Sequence, residues 1–127
     1  MINNKQLGSD GEDIACKYLF SKGYRVLQRN FTCKIGEIDI VAAERDTLVF
    51  IEVKTRTSEK YGKPCEAVSA SKQKKIVKTA LWYMTQFKMF DYMSRFDVIE
   101  LLMDDEGKSY IVNHIKDAFQ YSGKYGY

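Results

Sequence analysis

Cysteine, histidine and proline are scarce in this chain of 127 residues, and each shortage narrows what the protein can be. The three cysteines, Cys16, Cys33 and Cys65, are odd in number and lack paired spacing, so we expect reduced thiols in a cytoplasmic protein. Because His114 is the only histidine, we do not expect a zinc site. The only proline, Pro64, falls in a segment that we interpret as a loop.

Long apolar runs are also missing. No stretch approaches the roughly 20 apolar residues of a membrane span, and Met1 to Gln6 lacks the apolar core of a signal peptide. We therefore expect no membrane association. Apolar residues make up 45% of the chain and charged residues 29%, which is ordinary for one globular domain with its own core. The net charge of +3 neither requires nor excludes nucleic acid, so the placement of the charges matters more.

Two segments rich in Val, Ile and Phe flank a polar cluster and predict a β-hairpin, with strands over 36–43 and 48–54. A two-residue loop at Arg45-Asp46 and a four-residue loop over 44–47 give the same register. That register pairs Glu37 with Lys54, Ile38 with Val53, Asp39 with Glu52 and Ile40 with Ile51. Alternation also places Ile38, Ile40 and Ala42 on one face, so a shift of one residue would destroy the match of the apolar faces.

The predicted register sets the carboxylates of Asp39 and Glu52 opposite each other, with Cβ atoms roughly 5 Å apart, where like charges destabilise the pair. A divalent cation such as Mg²⁺ removes that cost, since it prefers oxygen ligands and is often held by one or two carboxylates plus phosphates. Lys54 lies on the same face as Glu52 and can hold a water or stabilise charge on a phosphate. The alternative is a solvated outer face with a surface pair of Glu37 and Lys54, and alternation alone does not decide between the two.

A first helix is predicted from about Gln6 to Lys22, where Gly23 ends it. Its apolar stripe consists of Leu7, Ile14, Ala15, Tyr18 and Leu19. Glu12 falls at the edge of that stripe. It is either a boundary residue with a hydrated carboxylate or an acid that the helix directs at the acidic pair.

The segment after Lys54, over 55–70, is predicted to be a loop whose cations could contact a phosphate backbone. These cations are Arg56, Lys60 and Lys63; a plain solvated loop is the alternative. Ser69 or Ser71 caps a second helix that runs to about Phe87. Its first two turns carry four lysines: Lys72, Lys74, Lys75 and Lys78. Lysines there oppose the helix dipole, which favours an anionic partner, although a solvated face is the common reason for a charge run.

The remaining strands are predicted over 24–30, 95–103 and 109–115, with a turn over 104–107 and a connection over 32–35. The order of helix, three strands, helix and two strands predicts an α/β sandwich on a mixed sheet. We expect one domain over residues 1–119 and a disordered tail over 120–127. His114 is interpreted as structural.

Five stretches, in this order, carry a resemblance to a known family. They are Gly8-x-x-Gly11-Glu12, Gly36-Glu37-Ile38-Asp39-Ile40, Phe50-Ile51-Glu52-Val53-Lys54-x-Arg56, Ser69-x-x-Lys72 and Arg95-Phe96-Asp97-Val98. The chain resembles the small bacterial YraN-like proteins, the uncharacterised family UPF0102, from Gly8 to about Phe119.

The resemblance implies a restriction-endonuclease-like αβββαββ core of the PD-(D/E)xK nuclease superfamily. It makes Asp39 and Glu52 metal-binding acids and Lys54 the catalytic lysine. Glu12 is then an accessory acid that would complete the coordination of the metal or hold a metal-bound water, and Glu37 and Lys72 have less defined roles. Ile38 stands where many of these enzymes have proline.

The expected activity is a Mg²⁺- or Mn²⁺-dependent endonuclease that acts on DNA, or less readily on RNA, with branched nucleic acid as one substrate. The alternative is a non-catalytic nucleic-acid-binding module. We expect Arg56, Lys60, Lys63, Lys72 and Lys75 to contact phosphates. Cleavage of both strands of a duplex would call for a homodimer.

Overall fold

The computed structural model describes residues 4–57, 68–104 and 109–120. Its elements, in chain order, are α1 (Asn4–Ser21), β1 (Arg25–Thr32), β2 (Glu37–Glu44), β3 (Thr47–Thr57), α2 (Ala70–Gln86), β4 (Met93–Met103) and β5 (Tyr110–Ile115). This order confirms the predicted αβββαββ arrangement.

The five strands form one mixed sheet in the order β1-β2-β3-β4-β5. Strands β3 and β4 are parallel, and the other neighbouring pairs are antiparallel. A parallel pair needs a long crossover connection, and α2 lies in the segment that joins β3 to β4.

The helices cover opposite faces of the sheet and each contributes to its own apolar cluster. On the α1 side, Ala15 and Leu19 pack against the inward side chains of the central strands: Ile40, Ala42, Val49, Ile51, Ile99 and Leu101. On the α2 side, the buried stripe of the helix packs against residues that include Val41, Phe50 and Val98. The stripe consists of Ile76, Val77, Ala80, Tyr83 and Met84.

The predicted helix ends are confirmed by their hydrogen bonds. Gly23 has a φ of 88° and follows α1, while Tyr24 N–H donates to Leu19 O and Gly23 N–H donates to Phe20 O. This pair of bonds is a Schellman motif, which only a residue that tolerates positive φ can complete. At α2, the N-cap is Ser69, whose Oγ accepts a hydrogen bond from Lys72 N–H.

Two sequence predictions about the central strands are wrong. Strand β3 continues to Thr57, so Thr55 and Arg56 lie in the sheet and not in a loop, because β4 offers a parallel partner for that length of chain. The predicted shared face also fails, since Ile38 packs in the α2-side cluster while Ile40 packs in the α1-side cluster. In the neighbouring strand, Asn30 lies between the partners of Ile40 and Ile38 and has a φ of 52°, so the alternation is interrupted at the same level in β1.

Several sequence predictions lie outside the described residues. They concern Lys60, Lys63, most of the turn over 104–107 and all of the tail beyond Gln120. Within the described residues, no helix is both long and apolar enough to span a bilayer.

Candidate active site

The candidate site lies where β2 and β3 separate. Their ladder has the predicted register, with Glu44 opposite Thr47 and Ile40 opposite Ile51. It ends at that last pair, so Asp39 and Glu52 occupy the next level without ladder pairing. The predicted register is therefore confirmed, but the ladder ends before the levels of Asp39 with Glu52 and of Glu37 with Lys54.

Beyond the last ladder pair, the carboxylate of Asp39, and not a backbone carbonyl of β2, accepts a hydrogen bond from the backbone of β3. Its Oδ2 accepts a hydrogen bond of 2.8 Å from Val53 N–H, which fixes the side chain against β3 beside Glu52. Burial, followed by the charge of Glu52, raises the pKa of Asp39 to about 7 from an ordinary value of 3.8. The site therefore holds a carboxylate that is costly to ionise unless a cation is near.

The side chain of Glu52 extends from β3 to the start of α2. It continues the face of Phe50, which packs against α2, and its Oε1 lies 2.5 Å from Lys72 Nζ. The hydrogen bond with Glu52 raises the pKa of Lys72, and the charges of Asp39 and Glu37 add to this effect. The lysine-rich first turn of α2 thus has an intramolecular anionic partner, which the sequence left unidentified.

Lys54 and Arg56 follow Glu52 along the same face of β3, but their surroundings differ from the prediction. The Arg56 side chain is only 14% exposed, and its Nε lies 2.9 Å from Oε2 of Glu100, itself a buried residue on β4. The two atoms are close but poorly aligned for a hydrogen bond, so the attraction is mainly Coulombic. Lys54 is half-buried and lies opposite Glu100 in the parallel ladder.

Glu12 is brought to the site by the close approach of α1. A Cβ on Gly11 would lie 2.2 Å from Thr55 Oγ1, so only glycine lets the helix pack this tightly on β3. The Glu12 carboxylate adds to the field that raises the pKa of Asp39. It also lies 3.7 Å from Arg29 of β1, which identifies it as a boundary residue within electrostatic range of the acidic pair.

A cleft of about 400 Å³ opens beside the acidic pair at the start of α2. It is lined by Ile35, Gly36, Glu37, Ser69, Ser71, Lys72, Lys75 and Ile76. Glu37, Lys72 and Lys75 thus share one concave surface, and the two lysines give it a cationic wall.

A divalent cation is consistent with this set of donors, although the described residues do not form a complete cage. Among them, no three acidic, histidine or cysteine side chains are close enough to hold an ion. Two adjacent carboxylates suffice for Mg²⁺, which keeps several waters and usually takes its other ligands from substrate phosphates. Positive charge beside the pair would lower the cost of ionising Asp39, whose pKa is raised by burial and by Glu52, and the ammonium of Lys72 already contacts Glu52.

A second polar centre was missed by the sequence analysis. Asp97 is 1% exposed, and its carboxylate accepts four hydrogen bonds, two from Arg95 and one each from His114 Nε2 and Asp117 N–H. Because the carboxylate only accepts, Nε2 carries the proton and Nδ1 can accept from the hydroxyl of Tyr18, 2.9 Å away. The His114 side chain is 5% exposed and is fully engaged in this network, which agrees with its interpretation as a structural residue.

Arg95 extends this centre toward the hairpin end of the sheet. Its two terminal nitrogens also donate to Glu44 Oε1 at 3.1 Å and to the hydroxyl of Tyr24 at 2.9 Å. Burial alone would raise the pKa of Asp97, but the hydrogen bonds from His114 and Arg95 lower it to about 2. The sequence contained one signal of this polar centre, since Asp97 lies inside the apolar strand Phe96-Asp97-Val98-Ile99. An aspartate that is buried in this way requires hydrogen-bonding partners.

The fold and the site together define an α/β protein whose mixed sheet, flanked by two helices, carries adjacent carboxylates where two central strands separate. Comparison with known proteins assigns its family. The model of "Uncharacterised protein family UPF0102" matches residues 11–101. The chain therefore belongs to the UPF0102 family, which confirms the resemblance found in the sequence.

Similar proteins occur in species of Caldanaerobacter and Clostridium and match over nearly their whole length. A UPF0102 protein of Caldanaerobacter subterraneus subsp. tengcongensis is 50% identical over 119 residues, which are 93% of this chain and 98% of the relative. A UPF0102 protein of Clostridium kluyveri is 50% identical over 117 residues, covering 92% of this chain and 96% of the relative. One from Clostridium tetani is 46% identical with the same coverage.

Proposed function

We propose that this protein is a divalent-metal-dependent endonuclease that hydrolyses phosphodiester bonds in DNA. The observation that carries the proposal is the partly buried pair of Asp39 and Glu52 at the end of the β2–β3 ladder. Burial and the charge of Glu52 raise the pKa of Asp39, and a perturbed carboxylate beside a second acid is typical of a functional site. The resemblance to the PD-(D/E)xK nucleases supports the same reaction.

Asp39 and Glu52 would hold Mg²⁺ or Mn²⁺. The bound cation supplies electrostatic stabilisation of the negative charge that develops on the scissile phosphate. The hydrogen bond from Val53 N–H fixes Asp39 Oδ2 but leaves further lone pairs on the carboxylate, so the group is oriented and still able to ligate. Pre-orientation of this kind lowers the cost of assembling the site.

Lys54 would position the attacking water or stabilise charge on the phosphate, because it follows Glu52 by two residues on the same face of β3. Glu12 would act on the site through its charge, at the edge of α1. The cationic wall of the cleft, formed by Lys72 and Lys75, would bind the phosphates that flank the scissile bond.

The described part of one copy of the chain contains one such site, which would cut one strand. Cleavage of a duplex, or resolution of a branched junction, would then need two copies, so we propose a homodimer as the form that acts on these substrates.

The test is metal-dependent nicking of a labelled panel that contains duplex, flap, four-way junction, single-stranded DNA and structured RNA. The wild type is compared with Asp39→Asn and Glu52→Gln, and with Asp91→Asn as a matched control because Asp91 is exposed and lies away from the site. We expect Mg²⁺- or Mn²⁺-dependent cuts that fall about a hundredfold or more in the first two variants and not in the control. Cuts that persist in both site variants would contradict the proposal.

A non-catalytic nucleic-acid-binding module is the second candidate. It is favoured by the incomplete cage among the described residues, since three acidic ligands do not come together there. This candidate predicts binding that weakens steeply with salt, and no cleavage of any member of the panel in either metal.

A further inference from the structure

Lys72 occupies an unusual place for a cationic side chain. It is the third residue of α2, near the positive end of the helix dipole, where an ammonium group is disfavoured. The Ser69 cap fixes its backbone through the bond from Lys72 N–H. The position is thus set by the cap, and the ammonium group must be stabilised by something other than the helix.

The stabilising groups are the carboxylates of the candidate site. Lys72 Nζ contacts Glu52 Oε1 at 2.5 Å, and Asp39 and Glu37 contribute through their charges. The two partners of the contact differ in exposure, since the Glu52 side chain is 11% exposed and the Lys72 side chain is 51% exposed. The carboxylate is enclosed, whereas the ammonium approaches it from the solvent side.

This geometry places a single positive charge on the carboxylate that a divalent cation would use. Glu52 has two oxygens, but a cation shared with Asp39 would have to approach a carboxylate already bound to an ammonium group. Two cations within hydrogen-bonding distance of the same acidic pair repel each other. Binding of the metal ion and retention of the Lys72–Glu52 contact therefore oppose each other.

We propose that Lys72 is a displaceable internal counter-ion, which neutralises Glu52 in the metal-free protein and releases it when a divalent cation binds to Asp39 and Glu52. The inference rests on the proposed metal site and adds a regulation to it. In the metal-free protein, the ammonium of Lys72 stabilises the acidic pair within the folded structure. The same contact weakens metal binding, because it must be broken when the metal ion binds. Once released, it stays on the wall of the cleft beside Lys75, where it attracts phosphate.

The test measures metal affinity directly, by titration of Mn²⁺ into the metal-free protein with calorimetric detection. The variants are Lys72→Met, which keeps the length of the side chain without its charge, and Lys72→Arg, which keeps the charge. Lys75→Met is the matched control, because it removes a charge from the same cleft without touching the contact with Glu52. Asp39→Asn identifies which binding event belongs to the site.

We expect Lys72→Met to bind Mn²⁺ about tenfold more tightly, equivalent to about 1.4 kcal/mol. Lys72→Arg and Lys75→Met should stay within about twofold of the wild type. In the absence of metal, Lys72→Met should also melt at a lower temperature, and saturating Mn²⁺ should raise its melting temperature more than that of the wild type. A purely structural salt bridge would lower the melting temperature without tightening metal binding.

The outcomes separate this inference from the proposed function. Mn²⁺ binding that Asp39→Asn abolishes, with unchanged or weaker affinity in Lys72→Met, would overturn the counter-ion role and leave the metal site standing. Equal tightening in Lys75→Met would also overturn it, because the effect would then be one of general charge. No Mn²⁺ binding to the wild type would overturn the metal site and the counter-ion together.

Discussion

Replacement of Asp97 by asparagine should destabilise the protein severely, although the two side chains have nearly the same shape. The carboxylate accepts four hydrogen bonds, with Arg95 Nε and Asp117 N–H on Oδ1, and Arg95 Nη2 and His114 Nε2 on Oδ2. An asparagine offers one oxygen and one amino group. Whichever way the amide is turned, its amino group faces two donors, and those two buried donors lose their acceptor.

The size of the effect follows from the burial of this centre. Removal of one partner from a buried ion pair typically costs about 3–5 kcal/mol, since the remaining charge is left without compensation. The Asp97 side chain is 0% exposed and that of His114 is 5% exposed, so water cannot replace the lost acceptor. For a chain of this length, that loss corresponds to a fall in melting temperature of about 12–20 °C.

The measurement is urea unfolding followed by far-UV circular dichroism at neutral pH, with calorimetry for the melting temperature. The control is Asp91→Asn, an exposed aspartate whose replacement should change the free energy of unfolding by less than about 0.5 kcal/mol. A loss below about 1 kcal/mol in Asp97→Asn, with unchanged dependence on urea, would refute the view that this network holds the sheet and α1 together.

Three further predictions concern pH and packing. Because the pKa of Asp97 is lowered to about 2 from 3.8, its ionisation stabilises the fold above about pH 4, and about 2 kcal/mol of stability should be lost as the pH falls toward 2. In urea unfolding measured across this pH range, Asp97→Asn should lack this loss of stability. The pH dependence that Asp39 contributes has the opposite sign: since its pKa is raised to about 7, the metal-free protein should lose stability as the pH rises from about 4 to 7. Asp39→Asn should therefore be more stable than the wild type by about 1–3 kcal/mol at pH 8 but not at pH 4. If chelator-treated samples show no such difference, the burial of this carboxylate is contradicted. Gly11→Ala should cost about 1–3 kcal/mol in thermal unfolding because its Cβ would meet Thr55 Oγ1 at 2.2 Å, and adding Thr55→Ala should recover most of that loss if the clash is the cause.

Much of the site was predictable because it depends on local patterns. Alternation of apolar residues along β2 and β3 was sufficient to predict their register, and the register places Asp39 and Glu52 at the same level. The carboxylates of Asp39 and Glu52 and the ammonium of Lys54 indicated a site that binds a divalent cation and acts on a phosphate group. The caps at Gly23 and Ser69 were predictable for the same reason, since a cap depends on a few consecutive residues.

The partners of the buried charges were not predictable, because they lie far apart in the chain. Arg95 contacts Glu44, and Arg56 contacts Glu100, only because the sheet places β2, β3 and β4 side by side. From the sequence, Arg56 is predicted to lie in a loop and to contact phosphate, since nothing near it in the chain indicates a parallel partner strand.

Local patterns in the amino-acid sequence were enough to predict the order of the elements, the register of the central hairpin and the identity of the acidic pair. These follow from side-chain periodicity and turn chemistry, which act over a few residues. The tertiary structure decided that the ladder ends at Ile40 and Ile51, that Val53 N–H holds Asp39, and that Lys72 neutralises Glu52. Those features depend on where strands separate and on how a helix docks across them, and the energy of a buried charge depends on every group packed around it.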